Sequence, residues 1–291
     1  MKTTDHTFEI PWNNDTKLLD CLNSSSLRNK VQCIYLPCAD SHGKCTCAKE
    51  GINYSEYDIQ NHVAHIKDAG FNPCILMQRN FDLSYLPFYV DMGIRYFTVG
   101  EDRVAESIRE RLGDDAYIIA SVTKDLMNDD YEMYSEMKPE LYNIFILRLG
   151  YSRDIEAIMN LPKNLKYGIM PNLVCLWNCP NYRQHWFPDM HESFNNRVDS
   201  FHCEDVRCNE NGDLDLTKSM YIPSSDLWAF DPLVNMYKLT HRTEITENIM
   251  DHITAYSNVD ITPPENNLMS ETLKKYNIGH GRQYRCGKPI Y

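Results

Sequence analysis

Short apolar, β-rich runs alternating with segments of helical period constrain this chain more than any other feature. The runs begin near Val31 (VQCIYLP), Asn72 (NPCILMQ), Arg95 (RYFTV), Tyr117 (YIIASV), Tyr142 (YNIFILRL) and Lys166 (KYGIMPNLV), and after the first they recur about every two dozen residues, the interval of a βα unit. Between them, Ile59, Val63 and Ile66, and likewise Val104, Ile108 and Leu112, form stripes at helical spacing. Ser55 and Asp58 have the spacing of a capping box. Gly70, Gly93 and Gly113 fall where helices would stop before the next strand, at positions that favour a left-handed residue. Two further runs, around Tyr221 (YIPSS) and Met236 (MYKLTHR), bring the strands to eight, and Ile245, Ile249 and Ile253 then mark a last helix. Eight strands alternating with helices predict an α/β fold, a TIM-type (β/α)8 barrel in one domain over residues 1–259, with residues 260–291 as a C-terminal tail. A doubly wound open sheet gives a similar pattern.

A chain of 291 residues with 43% hydrophobic content can bury such a core without disulfides. Its net charge of −12 opposes non-specific binding to nucleic acid or an anionic membrane surface, because phosphate binding is driven by Lys and Arg releasing counterions. Neither a signal-peptide pattern at Met1–Asn14 nor a run of about 18 apolar residues is present, so the expectation is a cytoplasmic protein without a membrane span.

The rhythm breaks after the sixth run, where a polar insertion from Pro180 to Met220 carries three His and two Cys. Cys175 and Cys179-Pro180 stand at the end of that run, and Cys203 and Cys208 follow, making a cysteine-rich loop over residues 175–220. In a parallel barrel, loops after the strands build the functional face, so these thiols are placed to converge. C-x3-C followed by Pro is nearer to iron–sulfur than to zinc-ribbon spacing, and thiolates are the soft ligands an iron cluster takes. Cys175, Cys179, Cys203 and Cys208 are therefore the expected metal ligands, with zinc the alternative occupant. Cys38 or Cys286 could replace Cys208 as the fourth, Cys45 and Cys47 read as loop thiols, and Cys21, Cys33 and Cys74 as buried packing.

The string NLVCLWNCPNYRQHW, a later cysteine and YIPSSDLWAFDPLVNMYKLTHR resemble the peptidase U-thirty-two family of collagenase-like proteins, and the resemblance runs from FEIPWNN to Arg242. It implies a TIM-type barrel with a four-cysteine 4Fe-4S cluster. Several family members are oxygen-independent hydroxylases of ubiquinone precursors or RNA bases, some with prephenate as oxygen donor. By this resemblance Cys175, Cys179 and Cys203 are cluster ligands, Arg183 and His185 pocket residues, and Lys238 and Arg242 a basic pair on the last strand. Trp228 stands where some hydroxylases of the family place a cluster cysteine, which leaves the fourth ligand open.

Other residues are singled out by position. Arg148 near the end of the fifth run, Arg242 near the end of the eighth and Arg183 in the loop could hold an anionic substrate, since a guanidinium presents a planar fork to a carboxylate; pairing with Glu101, Asp102 or Glu244 is the competing reading. His185 and His191 are candidate proton shuttles and Glu101 a candidate base. No G-x-S-x-G or H-E-x-x-H string supports a hydrolase. The expectation is an iron–sulfur oxidoreductase hydroxylating or oxidising a small-molecule or peptide-tethered substrate without dioxygen. The alternatives are a metal-stabilised barrel that binds a protein partner and a U-thirty-two-type peptidase.

Overall fold

A computed structural model describes residues 2–43, 53–78, 80–124, 137–148, 152–177, 208, 211–213, 215–216, 218–240, 242–264 and 276. Its strands are β1 (Thr7–Pro11), β2 (Val31–Pro37), β3 (Pro73–Met77), β4 (Tyr96–Val99), β5 (Tyr117–Ala120), β6 (Ile144–Ile146), β7 (Tyr167–Ile169) and β8 (Met236–Lys238). They form a closed barrel in chain order, every neighbouring pair parallel and β8 closing onto β1 through Thr7↔Met236, Phe8↔Tyr237 and Glu9↔Lys238. The expected TIM-type barrel is what the chain forms.

One strand differs from the sequence reading. The first is Thr7–Pro11, and the segment at Tyr221 is not in the barrel. Ile222 donates its N–H to the Pro171 carbonyl and accepts from the Tyr256 hydroxyl at its own carbonyl, after which Pro223 leads into a 3-10 turn, Ser224–Ala229. Pro223 has no N–H for a ladder, so the extended run stops there. The cysteine-rich loop accordingly follows β7, the seventh strand rather than the sixth.

Alternating strand residues serve two cores. Phe8, Ile34, Ile75, Phe97, Ile118, Phe145 and Tyr237 pack outward with the helices, whereas Cys33, Tyr35, Cys74, Leu76, Ile119, Ile144, Ile146 and Met236 pack together inside the barrel. Helices α1 (Lys17–Asn23), α2 (Glu56–Asp68), α3 (Leu86–Asp91), α4 (Asp102–Leu112), α5 (Ile155–Met159) and α6 (Thr246–Ser257) supply the outer partners. The Ser55–Asp58 capping box is present, and Ile59, Val63 and Ile66 are buried. Gly70, Gly93 and Gly113 take φ of +79°, +74° and +54°, as their helix-end positions require. Ile245 lies outside the last helix as its N-cap and is exposed, while Ile249 and Ile253 are buried.

Asp260, Ile261 and Tyr276, from the stretch expected as a tail, make hydrogen bonds to earlier residues. Lys2 donates to Asp260 Oδ1 at 3.2 Å and accepts from the Ile261 N–H, and buried Tyr276 donates to Asp226 Oδ2 at 2.6 Å. Among the described residues no helix is long and apolar enough to cross a membrane.

Candidate active site at the barrel mouth

Because all eight strands are parallel, their C-terminal ends open on one face, and the residues just past them line one mouth. Several of these are polar yet buried: Gln78 after β3, Ser121 after β5, Arg148 after β6 and Asn172 after β7. Asn172 Oδ1 accepts the Thr240 N–H at 2.9 Å and the Thr240 hydroxyl at 3.2 Å, tying the ends of β7 and β8 together.

The two legs of the cysteine-rich loop are paired at this mouth. Met220 N–H donates to the Cys175 carbonyl at 2.8 Å, Trp177 N–H to the Lys218 carbonyl at 2.6 Å, and Leu176 and Ser219 form an antiparallel bridge. Buried Arg153 fastens the return leg: its guanidinium donates to the Ser219 and Leu216 carbonyls, and its carbon centre lies 5.9 Å from the Trp177 ring and 5.0 Å from that of Tyr276. Burial lowers the pKa of Arg153 from its very high ordinary value, and the nearby Tyr276, Asp226 and Asp215 oppose that shift.

Below the mouth the mostly apolar barrel interior also holds a group of polar side chains, where such interiors are usually filled by branched aliphatic residues. Glu9 is fully buried and paired with Lys238, and the Thr98 hydroxyl donates to Glu9 Oε1 at 2.8 Å. The Lys238 ammonium also stands 4.0 Å from the centre of the Tyr35 ring, whose hydroxyl donates to the Leu239 carbonyl at 2.8 Å. Cys74 Sγ lies 3.4 Å from Thr98 Oγ1. Burial pushes the Cys33 thiol well above the ordinary thiol range, and the neighbouring Cys74 adds to the shift.

The residues singled out in the sequence fall as follows. Cys175 is half-buried just past β7 and packed against the interior cluster, Cys208 is also half-buried, and neither is in a disulfide. Arg148 is 9% exposed, and Arg242 is half-buried four residues past β8. Lys238, at the end of β8, is paired with Glu9. Glu101 follows β4 and is engaged: its Oε2 accepts from Arg103 at 2.7 Å and from the Asn80 N–H at 3.1 Å, which fixes the loop after β3. Asp102 takes Lys124 and Lys138 as ion partners. Cys38, the residue directly past β2, packs in the outer cluster with Sγ 3.6 Å from the Gly43 carbonyl. Cys179, Arg183, His185, His191, Cys203, Cys45, Cys47 and Cys286 lie outside the described residues.

Three features escaped the sequence reading. The Glu9–Lys238 pair joins residues 229 positions apart. Arg153 resembled a surface charge in a polar segment. Buried His42, stacked on Tyr85 at 3.8 Å, shares Nδ1 with the Tyr89 hydroxyl at 2.8 Å and Nε2 with Glu56 Oε1 at 2.7 Å. Only the Glu9 interruption of an otherwise apolar strand gave a local sign.

No protein-family model matches the sequence, and no curated protein matches it. Solved structures do resemble it. TrpF from Jonesia denitrificans is 7% identical with a TM-score of 0.50, covering 87% of this chain and 98% of its own. The U32 peptidase Mk0906 is 12% identical with a TM-score of 0.49, covering 83% of this chain and 95% of its own. The YdjI aldolase from Escherichia coli K12 is 10% identical with a TM-score of 0.44, covering 96% and 89%. At these identities the likeness to TrpF concerns the barrel fold alone.

Proposed function

We propose that the protein is an iron–sulfur oxidoreductase acting at the C-terminal mouth of its barrel, and that it oxidises or hydroxylates a small or tethered substrate without dioxygen. The observation that carries this reading is the position of Cys175: a half-buried residue just beyond β7, outside any disulfide, on a loop leg hydrogen-bonded to its return leg and packed against the barrel interior. Cys33, Cys38 and Cys74, by contrast, are fully enclosed.

The donor chemistry fits the group. Cys175 and Cys208 form no disulfide and lie on the loop that also carries Cys179 and Cys203, and four thiolates are what a 4Fe-4S cluster requires. When bound, the cluster supplies electron transfer or a Lewis-acidic iron. The protein's own residues bind and orient. Arg148 and Arg242, with Arg183 from the loop, would present guanidinium forks to an anionic substrate or to an oxygen donor such as prephenate. His185 would move a proton. The Glu9–Lys238 pair closes the barrel beneath, so the substrate lies above it. With a net charge of −12, long-range attraction does not favour an anion, and binding comes from short-range pairing at the mouth.

Anaerobically reconstituted protein assayed with candidate substrates, with and without prephenate, tests the reading. Turnover in the absence of dioxygen that is lost with Cys175→Ala supports it; a requirement for dioxygen contradicts it.

A further inference from the structure

The geometry points to a metal site inside the barrel, separate from the loop cysteines, in which Glu9, Cys33 and Cys74 ligate one divalent ion of the zinc class. One carboxylate oxygen and the two sulfurs lie within 4.8 Å of one another, and all three residues are fully buried. They come from three consecutive strands, β1, β2 and β3, with Glu9 and Cys33 in register.

The carboxylate is already arranged for such a ligand. Lys238 and Thr98 both donate to Oε1, while Oε2 is buried without a hydrogen-bond partner among the described residues. An orphaned carboxylate oxygen in a closed interior is costly, and coordination removes that cost. The two thiols stand next to each other and neither is in a disulfide.

Charge selects the ion. Two thiolates, one carboxylate and the Lys238 ammonium sum to −2, so a divalent ion leaves the buried site neutral and a monovalent ion does not. Sulfur with one oxygen selects a borderline-soft metal over magnesium or calcium. Zinc–sulfur bonds of about 2.3 Å put tetrahedral ligands about 3.8 Å apart, so the separations present need contract by no more than about 1 Å. Three protein donors leave a fourth position for a water or an exogenous ligand. The Thr98 hydroxyl, between Glu9 and Cys74, orients the carboxylate.

The test uses the full chain carrying Cys175→Ala and Cys179→Ala, so that an iron cluster at the loop does not contribute. Cobalt(II) added anaerobically should bind at one per chain with a sulfur-to-cobalt charge-transfer band. Cys33→Ala or Cys74→Ala should each remove about half of that band, and the two together all of it. Glu9→Gln, nearly isosteric, should keep the band and weaken affinity at least about tenfold. Zinc-edge X-ray absorption on the same zinc-loaded chain, which needs no interior substitution, should show two sulfur neighbours at about 2.3 Å. A cobalt band that survives the double Cys33→Ala, Cys74→Ala change, or zinc without two sulfur neighbours, overturns the site.

Discussion

Lys238 and Glu9 form a buried ion pair across the β8–β1 seam, in direct register where the barrel closes on itself. Glu9 is fully buried and Lys238 nearly so, and removing one strands the other in a medium that solvates charge poorly. Lys238→Met should destabilise the fold by about 3–5 kcal/mol, the scale for breaking a buried pair. In denaturant titrations Glu9→Gln with Lys238→Met together should cost less than the sum of the singles. Additive costs would show that the pair is not coupled.

Gly168 provides a steric counterpart on β7. A Cβ there would meet Ile146 Cδ1 at 2.7 Å and the Met236 carbonyl at 3.2 Å, so this interior position has no room for a side chain. Gly168→Ala should lower stability by about 1–3 kcal/mol, the usual cost of overpacking. Ile146→Val removes the Cδ1 atom and should recover part of that loss in thermal melts. No recovery would mean that the Met236 backbone contact dominates.

The barrel's eightfold rhythm was legible because apolar runs and helix signals such as the Ser55–Asp58 box are local in sequence. β1 escaped because it carries Glu9 inward, which disguises a strand as polar chain. The segment at Tyr221 misled in the opposite sense: Ile222 is extended and buried, but its hydrogen bonds go to Pro171 and Tyr256 rather than to a barrel strand. In the site, spacing singled out the loop thiols, of which Cys175 lies just past β7. The interior set was not legible, because Glu9, Cys33, Cys74, Thr98 and Lys238 come together only once β1 to β4 and β8 are assembled.

Arg153 should control the shape of the mouth. Its guanidinium holds the Leu216 and Ser219 carbonyls from within the protein, and hydrogen bonds from a charged donor contribute about 1.5–3 kcal/mol. Arg153→Met retains much of the packing against Trp177 and Tyr276 but loses those donors. Limited proteolysis should then cleave the chain between residues 177 and 220 faster than in the unaltered protein. Unchanged cleavage would remove Arg153 from the account of the mouth.

Acid should weaken the outer layer through Asp102. Burial raises its pKa, but the Tyr142 hydroxyl, donating at 2.7 Å, and the Lys124 and Lys138 ammonium groups outweigh this and hold it below the ordinary 3.8. A carboxylate with a depressed folded-state pKa contributes stability that is fully present above its unfolded value and lost as pH falls through the folded one. The stability difference between the unaltered protein and Asp102→Asn should therefore be constant above about pH 5 and shrink as pH falls below about 4. A difference that grew on acidification would contradict the sign of the shift.

The central claim, a cluster held by the loop cysteines, is tested most directly by iron and acid-labile sulfide analysis after anaerobic reconstitution. The account expects about four of each per chain with a broad visible absorption, nearly all of it lost in Cys175→Ala and Cys179→Ala and retained in Cys21→Ala, whose half-buried thiol sits on α1. Colourless protein holding zinc without iron, or iron lost equally from all three variants, would contradict it.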